Sequence, residues 1–379
     1  MKMRLIAAGL VLALSGCSTV SGWFGHGPAR PKPAALVDFK PAASLTEAWK
    51  SEAGDTGGYL LRPQVEGGDV FAAGGSRVVG IAVANGSTLW KTDTGAKLTA
   101  GTGAGQGLVL AGSSKGELLA LDRASGKERW KADLSSEVAG QMLVVDDSVI
   151  VRTGDGRVQG LAVADGSRKW LYTRTLPILS LRGSGGMAVR DDVLYAGFPG
   201  GKLVALNATN GAQLWEAAVA QPHGATELER VADVMGNPAL DDSQVCAVTY
   251  QGRVACFARS NGELLWARDT SSNSGLAMDE RNVYVTDDKD AVTAYDKTSG
   301  RAIWRQDKLA HREVTAPLAL GAWVVVADAE GYVHVLSADD GSFVARAKVD
   351  SRVRTAPVDI GPGFAVQTDK GSIVAFRLK

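Results

Sequence analysis

The chain has 379 residues, with 41 Lys and Arg balanced by 41 Asp and Glu, 46 Gly, three Cys and four His. A body with no excess positive charge offers little counterion-release affinity for a polyanion, and no Lys/Arg run interleaved with aromatics occurs, so a nucleic-acid partner is excluded. Abundant Gly and the absence of a helical apolar period exclude a helical or doubly wound α/β fold.

The first element in chain order does not belong to the fold. Lys2 and Arg4 precede an apolar run from Leu5 to Leu14, followed by LSGC ending at Cys17. This is the layout of a secretory leader over residues 1–16, and the run is too short for the roughly 20 residues a spanning helix needs. LSGC resembles the lipobox of bacterial lipoproteins. The resemblance implies cleavage before Cys17, acylation of its thiol and, with Ser18 following, delivery to the outer membrane. The body would then be lipid-anchored and face the periplasm. Removing the leader leaves 39 basic against 41 acidic residues, a net charge of −2. Residues 17–41 contain Pro28, Pro31, Pro33 and Pro41 without an amphipathic period. They read as the acylated Cys and a flexible tether with a span of roughly 25 Å.

Residues 42–379 are repetitive. The unit Gly-x-φ-φ-Ala-φ-Asp-x-x-x-Gly-x-x-x-Trp is clearest in GELLALDRASGKERW, Gly116 to Trp130, and its Trp recurs at Trp90, Trp170, Trp215, Trp266 and Trp304. A seventh copy carries Ala345 in place of Trp. The eighth is split: Trp49 has no glycine-led strand before it, and GSIVAF, Gly371 to Phe376, supplies that strand at the other end. Each unit holds about four short apolar stretches separated by turn signals, the signature of a propeller blade. The expected fold is all-β, an eight-bladed β-propeller with four antiparallel strands per blade, closed by pairing of the N- and C-terminal segments. Closure removes two sheet edges that would otherwise be exposed. The Trp residues are expected to lie between neighbouring sheets, and Asp122, Asn207 and Asp296 to cap turns.

Two repeats are oversized. Successive Trp spacings from Trp90 are 40, 40, 45, 51 and 38 residues, and the excess falls in 173–186 and 220–238. Insertions in a repeat architecture map to loops, where binding usually resides. The first insertion combines Leu176, Ile178, Leu179 and Leu181 with Arg182, a mixture suited to interface anchors. The second supplies Glu227, Glu229 and Asp233.

Cys246 and Cys256 flank the turn 250–253 in one blade. An odd loop would set them opposite each other, ready for a disulfide in an oxidising compartment, whereas a two-residue loop would pair Cys246 with Phe257 and leave two buried thiols. His26, His223, His311 and His334 have no spacing of a metal site or catalytic triad. GTGAGQG at 101–107 precedes no helix and reads as a blade turn, not a nucleotide loop. No cofactor is expected.

Over residues 45–379 the Trp-docked repeats resemble the pyrroloquinoline-quinone-type propeller family, which contains enzymes and non-enzymes. The vicinal Cys pair and acidic cluster of its dehydrogenases are missing here, so an enzyme is not expected. Four features are similar more specifically to the propeller lipoproteins of the outer-membrane β-barrel assembly machinery. They are the lipobox, LPILSLRG (176–183), HGATELERVADV (223–234) and EGYVHVLSADDG (330–341). That resemblance implies a non-enzymatic scaffold. It implies docking on the periplasmic POTRA domains of BamA through Leu179, Leu181, Arg182 and Asp233, with unfolded β-barrel proteins as further partners. Met235 departs from the pattern, which has a second acid there. Assistance to barrel insertion would come from arranging the POTRA domains or from pairing of a blade edge with incoming strands. Quinone-dependent dehydrogenase-like and glycan-binding propellers are the alternative functions.

Overall fold

Alternating apolar runs become strands throughout. The computed structural model describes residues 31–181 and 185–379, and within them it contains eight four-stranded antiparallel sheets and no helix. Blades 1 to 7 span residues 64–93, 103–133, 143–173, 187–218, 234–269, 275–306 and 318–348, each with its strands in chain order from the inner to the outer edge. Blade 8 takes its three inner strands from the C-terminus and its outer strand, Leu45–Glu52, from the N-terminus, in register from Leu45 opposite Leu378 to Glu52 opposite Ser372. Inner strands of successive blades touch all the way round, blade 8 against blade 1 included. The eight-bladed ring and its end-joining are as the repeats predict. The two central strands of each blade are covered on both faces by neighbouring blades, which is why runs such as LVLAG (Leu108–Gly112) are apolar without alternation.

Tryptophan staples hold adjacent blades together. Trp130 stacks on Gly166 of the next blade, where a Cβ would stand 2.6 Å from the indole, and its Nε1 donates to the Val163 carbonyl at 2.8 Å. Seven tryptophans from Trp49 to Trp304 make the same bond, at 2.7–3.0 Å. At the turns, Asp122 accepts the Ser125 amide at 2.9 Å, and hydrogen bonds from Ser125 and Arg129 hold its carboxyl down to about 2. Asn207 and Asp296 cap their turns in the same way.

Between blades 7 and 8 there is no staple, because Ala345 replaces Trp. That seam is filled instead by Phe364 and Phe376 of blade 8, packed with Val344, Ala345, Ala43 and Leu45. Residues 34–41, expected in the tether, belong to the compact unit that runs from Ala34 to Lys379. They descend along the outer edge of blade 7. Ala34 donates to the Ala310 carbonyl and Ala42 to that of Val344, both at 2.9 Å, and Phe39 stacks on Phe343 at 5.5 Å between ring centroids. Arg312 and Arg346 donate to the carbonyls of Ala34 and Val37. Cys17 and the leader lie outside the described residues.

In blade 5 the loop at 249–253 is odd, so Cys246 stands directly opposite Cys256 and the two are joined by a disulfide. Both are fully buried.

Candidate partner-binding face

Strand direction decides which loops share a face. In every blade the chain passes from the outer strand to the next inner strand on the side that also carries the turn between the two middle strands. Both oversized loops, 174–186 and 219–233, therefore open on that face, with blade 4 between them.

The first loop is clamped at its base. Arg152, the one charge in the strand SVIVR, is buried and donates from Nη1 to the carbonyls of Gly185 (2.7 Å) and Gly197. Its guanidinium lies over the Phe198 ring at 4.5 Å. Burial pushes Arg152 down to about 10, with the nearby Asp233 charge opposing the shift. Arg174 makes a two-pronged ion pair with Glu216, at 2.6 and 3.3 Å, across the same blade boundary. Leu176 is turned inward onto Gly156, where a Cβ would come within 2.8 Å of it.

The loop's tip is held by the second loop. Asp233 is fully buried, and its carboxylate accepts the backbone N–H of Leu181 at 2.6 Å and that of Gly200 at 3.1 Å. Desolvation raises its pKa against the lowering effect of those two donors. The second loop folds into a short turn by reciprocal capping: Thr226 Oγ1 accepts the Glu229 amide at 3.2 Å, and Glu229 Oε2 accepts the amides of Ala225 and Thr226 at 2.8 and 3.0 Å. Glu227 pairs with Arg230 at 3.2 Å.

Three large apolar side chains stand exposed among polar ones. Ile178 is 87% exposed, Leu179 45% and Leu228 69%. Of the residues expected to meet a partner, Leu179 stands on the surface, Leu181 is half-buried, Asp233 lies beneath them, and Arg182 falls outside the described residues. Met235 is buried in the first strand of blade 5, opposite Val248. Sequence reasoning missed Leu228, and it missed Arg152 and Phe198 as the platform under the first loop. A charge closing an apolar strand was the available signal for Arg152.

The family described as outer membrane protein assembly factor BamB matches residues 74–306 and 288–379. The chain belongs to the BamB family. It is 41% identical over 373 residues to the outer membrane protein assembly factor BamB of Burkholderia pseudomallei, covering 98% of this chain and 96% of the relative. Identity to the BamB of Pseudomonas aeruginosa is 38% over 375 residues, covering 98% and 97%. Among solved structures, BamB from Moraxella catarrhalis superposes with a TM-score of 0.81 at 26% identity, covering 88% of this chain and all of that one (100%).

A quinohemoprotein alcohol dehydrogenase of Pseudomonas putida HK5 shares the fold alone, at 16% identity and a TM-score of 0.71, covering 92% and 78%. The residues at the ring axis of this BamB-family chain do not fit a quinone cofactor. Across the ring axis, Gln141, just before blade 3, donates to Gln64 of blade 1 at 2.9 Å and accepts from Asn237 of blade 5 at 2.6 Å. No cluster of three or more His, Cys, Asp or Glu able to hold a metal occurs among the described residues. The cysteine pair sits between the second and third strands of blade 5, away from the axis.

Proposed function

We propose that this BamB-family protein is a non-enzymatic scaffold, anchored in the outer membrane through acylated Cys17 and facing the periplasm, that binds BamA POTRA domains and so assists insertion of β-barrel proteins. The observation that carries this reading is the pair of exposed apolar residues, Ile178 and Leu179, on a loop whose conformation is held by buried groups from both flanking blades. Apolar side chains kept in water by a rigid support are suited to burial against a partner, since little ordering remains to be done on binding. Leu179, Leu181 and Arg182 supply the contact. Asp233 acts from below, through the backbone of Leu181.

Titration of the full mature chain with soluble BamA POTRA domains tests the assignment. Leu179→Ala combined with Arg182→Ala is expected to weaken binding by about tenfold or more, since truncating a hot-spot anchor costs about 2 kcal/mol or more. Thermal unfolding should be nearly unchanged. Unaltered affinity would sink the assignment.

A further inference from the structure

Every blade carries a β-bulge in its outer strand at the residue just before the staple position. That residue is skipped by the register with the third strand: Leu214 lies between the paired Gln213 and Trp215, Leu265 between Leu264 and Trp266, and Ile303 between Ala302 and Trp304. In blade 7 it is Val344, between Phe343 and Ala345. A bulge interrupts the edge ladder and turns one residue outward. Continuous strand addition to these edges is thereby discouraged.

Blade 7 shows what such an edge accepts instead. The chain's own residues 34–42 lie along it, giving one backbone bond to the bulge carbonyl, Ala42 N–H to Val344 O, and an aromatic contact, Phe39 on Phe343. Val344 is consequently only 3% exposed. At the same position in blades 1, 4, 5 and 6 the residue is apolar and bare: Leu89 is 49% exposed, Leu214 52%, Leu265 50% and Ile303 40%. Their strands are the last in their sheets. Blades 2 and 3 carry Arg129 and Lys169 there, charges that guard an edge against apolar chains.

From this contrast we propose that the outer edges of blades 1, 4, 5 and 6 are docking sites for extended apolar segments of an unfolded polypeptide, each held as residues 34–42 are held on blade 7. The bulge carbonyl accepts one backbone N–H, and Leu89, Leu214, Leu265 or Ile303 is covered by the segment's side chains. The binding is short-range and tolerant of sequence, which suits a chain that must be released to fold. The proposal rests on the assembly role inferred above only for the identity of the natural client, an incoming barrel protein. It uses a different surface from the two oversized loops.

The test uses the full mature chain and reduced, carboxymethylated α-lactalbumin, a permanently unfolded probe. A photo-crosslinking residue at 89, 214, 265 or 303 should capture the probe, and one at 129 or 169 should not. The quadruple variant Leu89→Thr, Leu214→Thr, Leu265→Thr, Ile303→Thr should weaken binding by roughly tenfold or more, from the loss of four partly buried apolar contacts, while POTRA binding is retained. Arg129→Leu with Lys169→Leu should strengthen it. Equal affinity of the quadruple variant, or crosslinks confined to blades 2 and 3, overturns the proposal. Loss of POTRA binding in the loop variant alone bears on the other reading and leaves this one standing.

Discussion

The carboxylate of Asp233 accepts the backbone N–H of Leu181 at 2.6 Å, although the two residues are 52 positions apart and belong to different interblade loops. One buried acid thus sets the height of the apolar loop above the face. Asp233→Ala leaves the amides of Leu181 and Gly200 without their acceptor, at a cost of about 1–3 kcal/mol. Faster hydrogen exchange at Leu181 and weaker POTRA binding are expected together, with the rest of the ring retaining its protection. Unchanged exchange at Leu181 would show that the loop is held by other means.

Trp130 is both a large buried surface and a donor to Val163. Its replacement by Ala should cost about 3–5 kcal/mol, read from urea unfolding. Gly166→Ala acts on the same staple from the other side. Its Cβ would collide with the indole, and its φ of +74° would add about 1–2 kcal/mol of backbone strain.

Stability should rise with pH through the range below neutrality. His334 is fully buried, accepts at Nδ1 from Arg346 (3.1 Å) and meets Asp328 through Nε2 (3.0 Å), with Arg312 bonded to the same carboxylate oxygen at 2.6 Å. Burial pushes its pKa below the ordinary 6.5, outweighing the attraction of Asp328. The unfolded chain then binds the proton first as pH falls. The contribution is complete above 6.5 and is lost below it. Denaturant midpoints compared between about pH 5 and pH 7 should fall on the acid side, and His334→Gln should flatten that part of the slope.

Reduction of the Cys246–Cys256 bridge, which closes a loop of sequence separation 10, should lower stability by about 2–3 kcal/mol. Urea unfolding with and without dithiothreitol measures this. Intact mass under the same two conditions reports whether the bridge forms in the purified protein.

Ring, blade count and closure were legible in the sequence because each depends on local chemistry repeated at short range: Gly at positive-φ turns, Asp or Asn caps, apolar strands of fixed length and a Trp at a constant offset. The oversized loops were legible as departures from that period. Their internal organisation was not. Asp233 looked like a surface acid because its partners, the amides of Leu181 and Gly200, are backbone groups that leave no mark in sequence. Arg152 and Phe198 act through contacts between blades. Residues 34–41 read as a tether because nothing local distinguishes a linker from a segment packed on a distant edge; Phe343 and Arg346 lie some 300 residues away. The cysteine register turned on the parity of one loop. Periodic local interactions therefore determined the architecture from the sequence alone, whereas burial of polar groups, loop support and edge covering were decided by long-range packing, which only the tertiary structure displays.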